Sequence, residues 1–253
     1  MIGAGSSGAA LSNGEAAALA YARAGAAVAA VDRSAGEARR VAERIGGAGG
    51  TGFAVTADVT RESEVAAAIA AVLHELGTPD VLHNNVGAPA AGPVTDLGLD
   101  DWNAALSVNL TSAYLTCRHT LPHMLAAGRG VVVNVSSVAG IRDTGYVYPA
   151  YSAAKAGVNQ LTVSIALTYA AQGIRANAIL PGLIDTPMAG GLDSLVEARH
   201  ARSPTGRMGL PDDIANAAVF LASPGALHIT GETLLADAGL HLGPAVSKLE
   251  SSQ

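Results

Sequence analysis

The chain has 253 residues, 49% hydrophobic and 14% charged, with a formal net charge of −6. That length suits one α/β domain or two small ones, and that balance allows a large core and argues against disorder. A net negative chain carries no electrostatic case for nucleic acid or an anionic membrane surface. With 4% aromatic residues, the core must be built from aliphatic side chains and alanine. Cys117 is the only cysteine, which excludes an internal disulfide and suits a reducing cytoplasm. No apolar run reaches bilayer-spanning length, and no signal peptide is expected at the start.

Gly3, Gly5, Gly8 and Gly14 lie in a turn-like opening that feeds a helical stretch from about Glu15 to Arg23. Such a loop can bring backbone N–H groups at a helix start against a pyrophosphate; the plain alternative is a flexible terminus. AAVAAVDR predicts a strand ending at Asp32, 18 residues after Gly14. That is close to the spacing of the acid that bonds a ribose 2′-hydroxyl. A carboxylate there repels a 2′-phosphate and favours NAD over NADP, a preference that neighbouring Arg33 could soften.

Ser34 and Glu37 have capping-box spacing for a helix ending at Gly46–Gly47. TGFAVTADV reads as a strand with Asp58 at its end, and Thr60 as the cap of a helix from about Arg61 to Leu76. DVLHNNVG is a strand running into a turn at Asn84–Gly87. Asp100 to Ala126 reads as one long helix containing Trp102 and Asn109. GVVVNVSS is a strand ending at a serine pair, Pro149–Gln172 a helix, and IRANAILPG a strand breaking at Pro181–Gly182. Ile184 to Gly209 has no clear period and reads as a mobile lid with short helices. PDDIANAAVFLAS and ETLLADAG supply the last helix and strand. The polar tail Pro244–Gln253 is expected to be loosely held, leaving residues 1–243 as one folded domain. Strands alternating with helices predict a Rossmann-like, doubly wound parallel sheet with helices on both faces. Ligands on such sheets sit beyond the strand C-termini. The glycine loop, Asp32, Asp58, Asn84–Gly87, Ser137 and Pro181–Gly182 all fall there.

Tyr151 and Lys155 are four apart on a predicted helix, hence on one face. A lysine cation one turn away favours the phenolate and lowers a tyrosine pKa from about 10. The pair can then exchange a proton with an alcohol or carbonyl near neutrality. Ser137 can donate to the same substrate oxygen. Tyr-x3-Lys alone is common on ordinary helices, so the surrounding motifs carry the reading.

Those motifs are NNVG at Asn84–Gly87, VNL around Asn109, VNVSS ending at Ser137, YSAAK at Tyr151–Lys155, and NAILPGLIDTPM at Asn177–Met188. With them, the chain from Gly3 to Gly239 resembles the short-chain dehydrogenase/reductase family. The resemblance implies Tyr151 as proton donor or acceptor, with Lys155 lowering its pKa and binding the nicotinamide ribose. It implies Ser137 as the group orienting the substrate oxygen, and Asn109 as the holder of a relay water. It implies Asp32 on the adenosine ribose, Asp58 and Val59 beside the adenine, Asn84 and Gly87 shaping the cleft, and Ile184 and Thr186 on the carboxamide. The cofactor contacts so assigned are Gly3, Ser6, Ser7, Asn13, Gly14, Asp32, Arg33, Asp58, Val59, Asn85, Val86, Gly87, Tyr151, Lys155, Pro181, Gly182, Ile184 and Thr186. Whether Ser6, Ser7 or Ser12 meets phosphate stays open. The cofactor is NAD, with NADP second. Family members form homotetramers, and the same is expected here.

Two departures stand out. The glycine loop from Gly3 to Gly14 is longer than the family pattern, with Ile2 in place of its threonine. Met1 and Ile2 are too few to make the strand that precedes such a loop. Either upstream residues supply it, or the sheet has a gap between two central strands.

His119 and His123 are four apart, but Pro122 lies between them and no third ligand is evident; no metal is expected. Arg142, Tyr146 and Tyr148 lie near the substrate end, with plain loop roles equally open. Met188, Leu192, Leu195 and His200 suggest a partly apolar pocket. The leading expectation is an NAD-dependent oxidoreductase moving a hydride between nicotinamide and a secondary alcohol or ketone. An NADPH-dependent 3-oxoacyl thioester reductase and a catalytically idle dinucleotide-binding protein are the alternatives.

Overall fold

The computed structural model describes residues 1–6, 10–142, 145–187 and 196–243. Ser7, the lid residues Met188, Leu192 and Leu195, and the expected tail lie outside them.

After the glycine loop the order is α1 (Asn13–Arg23), β1 (Val28–Asp32), α2 (Ala35–Gly47), β2 (Gly52–Thr56), α3 (Glu62–Leu76) and β3 (Val81–Asn84). Then come α4 (Leu99–Leu106), α5 (Ser112–Ala127), β4 (Gly130–Val135), α6 (Pro149–Tyr169), β5 (Ile174–Pro181), α7 (Val196–Arg202), α8 (Pro211–Ala222) and β6 (Thr233–Ala236). All strand pairs are parallel: β2 with β1, and β3-β4-β5-β6 in order. One face packs α1, α2 and α8 through residues such as Ala17, Val41, Ile45 and Ile214. The other packs α3 and α5 through Ile69, Val72, Leu121 and Met124. The core is alanine-rich and aliphatic, as the composition requires, and alanine lets α1 approach the sheet closely.

Capping follows the sequence in part. Ser34 caps α2, its Oγ accepting Glu37 N–H at 3.3 Å. Thr60 does not cap α3: that helix starts after Arg61, and Thr60 Oγ1 instead donates to Asp58 Oδ1 at 2.7 Å. The expected single helix over 100–126 contains a π-turn at Ser107–Thr111 between α4 and α5. The wider turn carries Asn109 inward, where its Nδ2 donates to Ala105 O and Ala88 O, both at 2.9 Å.

Among the described residues, β1 and β3 are bridged by Ile2, in parallel register with Val31 and Asn84. Ile2 N–H donates to His83 O, and Val31 N–H donates to Met1 O, both at 2.9 Å. Beside this stitch lies a cavity of about 330 Å³ lined by Val28, Ala29, Ile69, Val72 and Leu82. Met1 also lines it. Its amine donates to Ala29 O at 2.9 Å, and burial pushes the amine pKa down to about 5.

Candidate active site

Proline at the first turn of α6 suits its fixed φ, and Tyr151 and Lys155 follow one turn apart. Lys155 is buried, with Nζ 3.0 Å from Val135 O and 5.6 Å from the centre of the Tyr151 ring. Burial pushes its pKa down to about 8. Burial pushes the Tyr151 hydroxyl up to about 12; a hydrogen bond with Ser137 opposes that and Tyr148 adds to it. The expected lowering of Tyr151 by Lys155 is therefore absent here, because desolvation dominates and Nζ is turned to Val135 O. Ser137 follows the end of β4, and its Oγ also accepts Ala139 N–H at 3.1 Å.

Asn109 meets this cluster through Gly87. A Cβ on Gly87 would lie 3.1 Å from Asn109 Oδ1 and 3.2 Å from Lys155 Nζ, so a side chain there would crowd both. Asn109 Oδ1 accepts Ala88 N–H at 3.0 Å, which ties the turn after β3 to the π-turn.

The glycine loop closes at the C-terminal ends of β1 and β3. Gly14 opens α1 so close to Gly3 that a Cβ would lie 1.9 Å from Gly3 O. Asn85 Nδ2 donates to the same oxygen at 3.1 Å, and Val86 packs on Gly3. Ser12 caps α1: its Oγ accepts Glu15 N–H at 3.1 Å and donates to Gly5 O at 2.8 Å. Ser6 Oγ is engaged with Ala10 O at 2.7 Å. Asn13 Oδ1 is buried without a partner, an open acceptor at the helix start. Asp32 holds the loop from below, Oδ2 accepting Gly5 N–H and Oδ1 accepting Ser34 N–H, both at 2.9 Å. These features fit a dinucleotide: close backbone approach, a helix N-terminus and a carboxylate at the strand end.

Other assigned residues are placed as follows. Asp58 accepts two hydrogen bonds from Thr60, which hold its carboxyl low, with smaller contributions from Arg61 and Arg33. Val59 is buried in the core. Gly182 N–H donates to Ala236 O at 3.1 Å, directly after Pro181. Ile184 is buried and bridges Gly209, and Thr186 is half-buried. His119 contacts Glu62 Oε1 at 3.1 Å. Among the described residues, no group of three or more His, Cys, Asp or Glu is placed to hold a metal, and no helix is long and apolar enough to cross a membrane.

Two features escaped the sequence reading. Asn84 is not at the cleft surface. It donates to Asn134 Oδ1 at 2.9 Å and accepts from Thr116 Oγ1 at 2.7 Å, while Asn134 donates to Thr162 at 2.9 Å. This buried chain locks β3, β4, α5 and α6 beneath the site. Glu37 does more than follow a cap: its Oε2 accepts Ser6 N–H at 3.0 Å. Arg40 links Glu37 to buried Glu15, which Arg44 also meets. A capping-box glutamate was the only signal for Glu37. The pairings across distant segments had none.

A family model described as enoyl-(acyl carrier protein) reductase matches residues 8–241. The cis-4-hydroxycyclohexanecarboxylate dehydrogenase of Sinomonas cyclohexanicum is 43% identical over 92% of this chain and 93% of its own. The crystal structure of a putative short-chain dehydrogenase/reductase from Burkholderia xenovorans superposes with a TM-score of 0.91 at 40% identity, covering 95% of this chain and 94% of that one. A gluconate 5-dehydrogenase from Burkholderia cenocepacia J2315, solved with NADP and tartrate, superposes with a TM-score of 0.87 at 31% identity, covering 92% of each. With a matched model over nearly the whole chain and relatives of this identity and coverage, the protein belongs to the short-chain dehydrogenase/reductase family and is an oxidoreductase acting on CH–OH groups.

Proposed function

We propose that the chain is an NAD-dependent dehydrogenase or ketone reductase of a secondary alcohol and its ketone, with Tyr151 as the acid/base. The observation that carries this is the meeting of Tyr151 with Ser137 and with Lys155, whose Nζ lies with Asn109 against Gly87 in the turn after β3. The dinucleotide, when bound, supplies the hydride acceptor or donor. Gly3, Gly14 and the start of α1 would hold its pyrophosphate, Asp32 its adenosine ribose, and Lys155 its other ribose. Ser137 orients the substrate oxygen. On oxidation Tyr151, as the phenolate, takes the alcohol proton while the hydride leaves the carbon; on reduction its hydroxyl gives the proton to the carbonyl oxygen. Lys155, with its pKa near 8, is positioned to pass that charge on.

The Sinomonas relative is named for a dehydrogenase of a ring secondary alcohol, which supports the substrate class. The gluconate dehydrogenase was solved with NADP, so the NAD preference rests on Asp32 and the neighbouring Glu37. Binding of NADH against NADPH, read by cofactor fluorescence, tests it; tighter NADPH binding overturns it. Exposed Leu167, Phe220, Leu227 and Leu242 support a homo-oligomer, with a tetramer expected by light scattering. The single cysteine, free and buried, accords with a reducing cytoplasm.

A further inference from the structure

A relay of carboxylates and guanidiniums runs from the core to the glycine loop. Glu15, in the first turn of α1, is buried, with its side chain 2% exposed. A carboxylate there is costly unless paired. Arg40 of α2 grips it with both terminal nitrogens, Nη1 to Oε1 at 2.6 Å and Nη2 to Oε2 at 2.8 Å. Arg44, one turn on, meets the same carboxylate. Burial raises the Glu15 pKa, and the two arginines outweigh it, holding the carboxyl below its ordinary value. From that grip Arg40 also donates to Glu37 Oε2, from Nη2 at 2.8 Å and from Nε at 3.2 Å. The same Oε2 accepts Ser6 N–H at 3.0 Å, next to the Gly5 N–H that Asp32 takes. Gly5 lets the loop come down on both carboxylates: a Cβ there would lie 2.6 Å from Glu37 Cβ and 2.8 Å from Asp32 Oδ2. Among the described residues, only Arg40 and Ser6 donate to the Glu37 carboxylate. A glutamate side chain is rich in rotamers, and a guanidinium already fixed on Glu15 removes that freedom.

We propose that Arg40 is a positioning residue for the dinucleotide. Locked onto Glu15, it aims the Glu37 carboxylate at Ser6 N–H. It thereby sets the glycine loop, before binding, in the shape that receives the cofactor. A loop ordered in advance has less freedom to lose on binding. Geometry matters here as well as charge, since an ammonium has no planar fork to grip one carboxylate while facing a second. This rests on the glycine loop holding the dinucleotide, as proposed above.

The test reads two quantities in the full chain. One is the Kd of NADH, followed by fluorescence. The other is solvent exchange of the Ser6 amide, followed by NMR in the cofactor-free protein. In Arg40→Met the Kd is expected to rise about tenfold, the worth of one hydrogen bond to a charged group, with the amide exchanging faster by a similar factor. Glu37→Ala is expected to do the same, and Arg40→Met added to Glu37→Ala to do nothing more. Arg40→Lys, with the charge but without the fork, is expected to stay close to Arg40→Met. A merely structural Arg40 would lower the Tm and leave both readouts of the folded protein unchanged, which overturns the proposal. Additive effects of Arg40→Met and Glu37→Ala overturn it too, as does full recovery in Arg40→Lys. Should Arg40→Met not fold, with Glu15 left short of a partner, Glu15→Gln with Arg40→Met carries the same readouts against Glu15→Gln alone. If the unaltered chain binds neither NADH nor NADPH, the cofactor reading fails with the proposal; equal NADH binding in every variant overturns the proposal alone.

Discussion

Lys155 places its Nζ 5.6 Å from the centre of the Tyr151 ring, but gives its hydrogen bond to Val135 O at 3.0 Å. Burial therefore sets both groups at rest, in opposite directions: the phenol pKa is high and the ammonium pKa low. Proton exchange then depends on the Ser137 hydrogen bond and on the charge of Lys155.

Tyr151→Phe removes the hydroxyl and keeps the ring packed against Tyr148. Its kcat is expected to fall about 10²–10⁴-fold, the usual worth of a positioned acid/base. NADH binding, followed by fluorescence, is expected to persist. Activity at the unaltered level would remove Tyr151 from the chemistry.

Asp32 and Glu37 both face the glycine loop, through Gly5 N–H and Ser6 N–H. Asp32→Asn is expected to lower the Kd ratio of NADPH to NADH roughly tenfold, and Glu37→Gln to lower it further in the double variant. Titration of each protein with both cofactors checks this. An unchanged ratio would mean neither carboxylate sets the preference.

Stability should rise with pH through the weakly acidic range. The Met1 amine has a pKa of about 5 when folded against 8.0 as its ordinary value, so the unfolded chain holds more protons between pH 5 and 8. His83, held to about 3 by burial and by the nearby amine, acts the same way from pH 3 to 6.5. Each pKa unit corresponds to about 1.4 kcal/mol. Urea midpoints at pH 4, 6 and 8 should increase in that order. Acetylating Met1 should flatten the limb between pH 5 and 8.

Among the described residues, Ile2 is the only one pairing with both β1 and β3. Ile2→Ala is expected to destabilise by about 2–5 kcal/mol, as for other buried truncations. Conversely, five β-branched residues engineered ahead of Met1 could run into the cavity beside Val28 and Leu82 and pair with both open edges. Each kcal/mol so added raises Tm by about 2–4 °C for a chain of this size. No rise in Tm would show that the cavity does not accept a strand.

Much of the fold was legible because its signals are local. Ser34 before a helical run, Gly14 opening α1 and Pro149 opening α6 act within a turn of their own position. The long helix over 100–126 was legible as helix but not as one broken by a π-turn. That extra residue is stabilised by Ala88, far away in the chain. Thr60 was read as a cap because it precedes a helix, yet Asp58 competes for its hydroxyl.

The sequence by itself determined the alternation of strands and helices, the family motifs and the one-turn spacing of Tyr151 and Lys155, since each depends on neighbours within a few residues. Only the tertiary structure decided that burial raises the Tyr151 pKa where the neighbouring lysine was expected to lower it, that Ile2 pairs with both β1 and β3, and that Arg202 lies over Tyr146. Desolvation, strand pairing and ring stacking depend on segments brought together from distant parts of the chain, and local pattern carries no record of those distances.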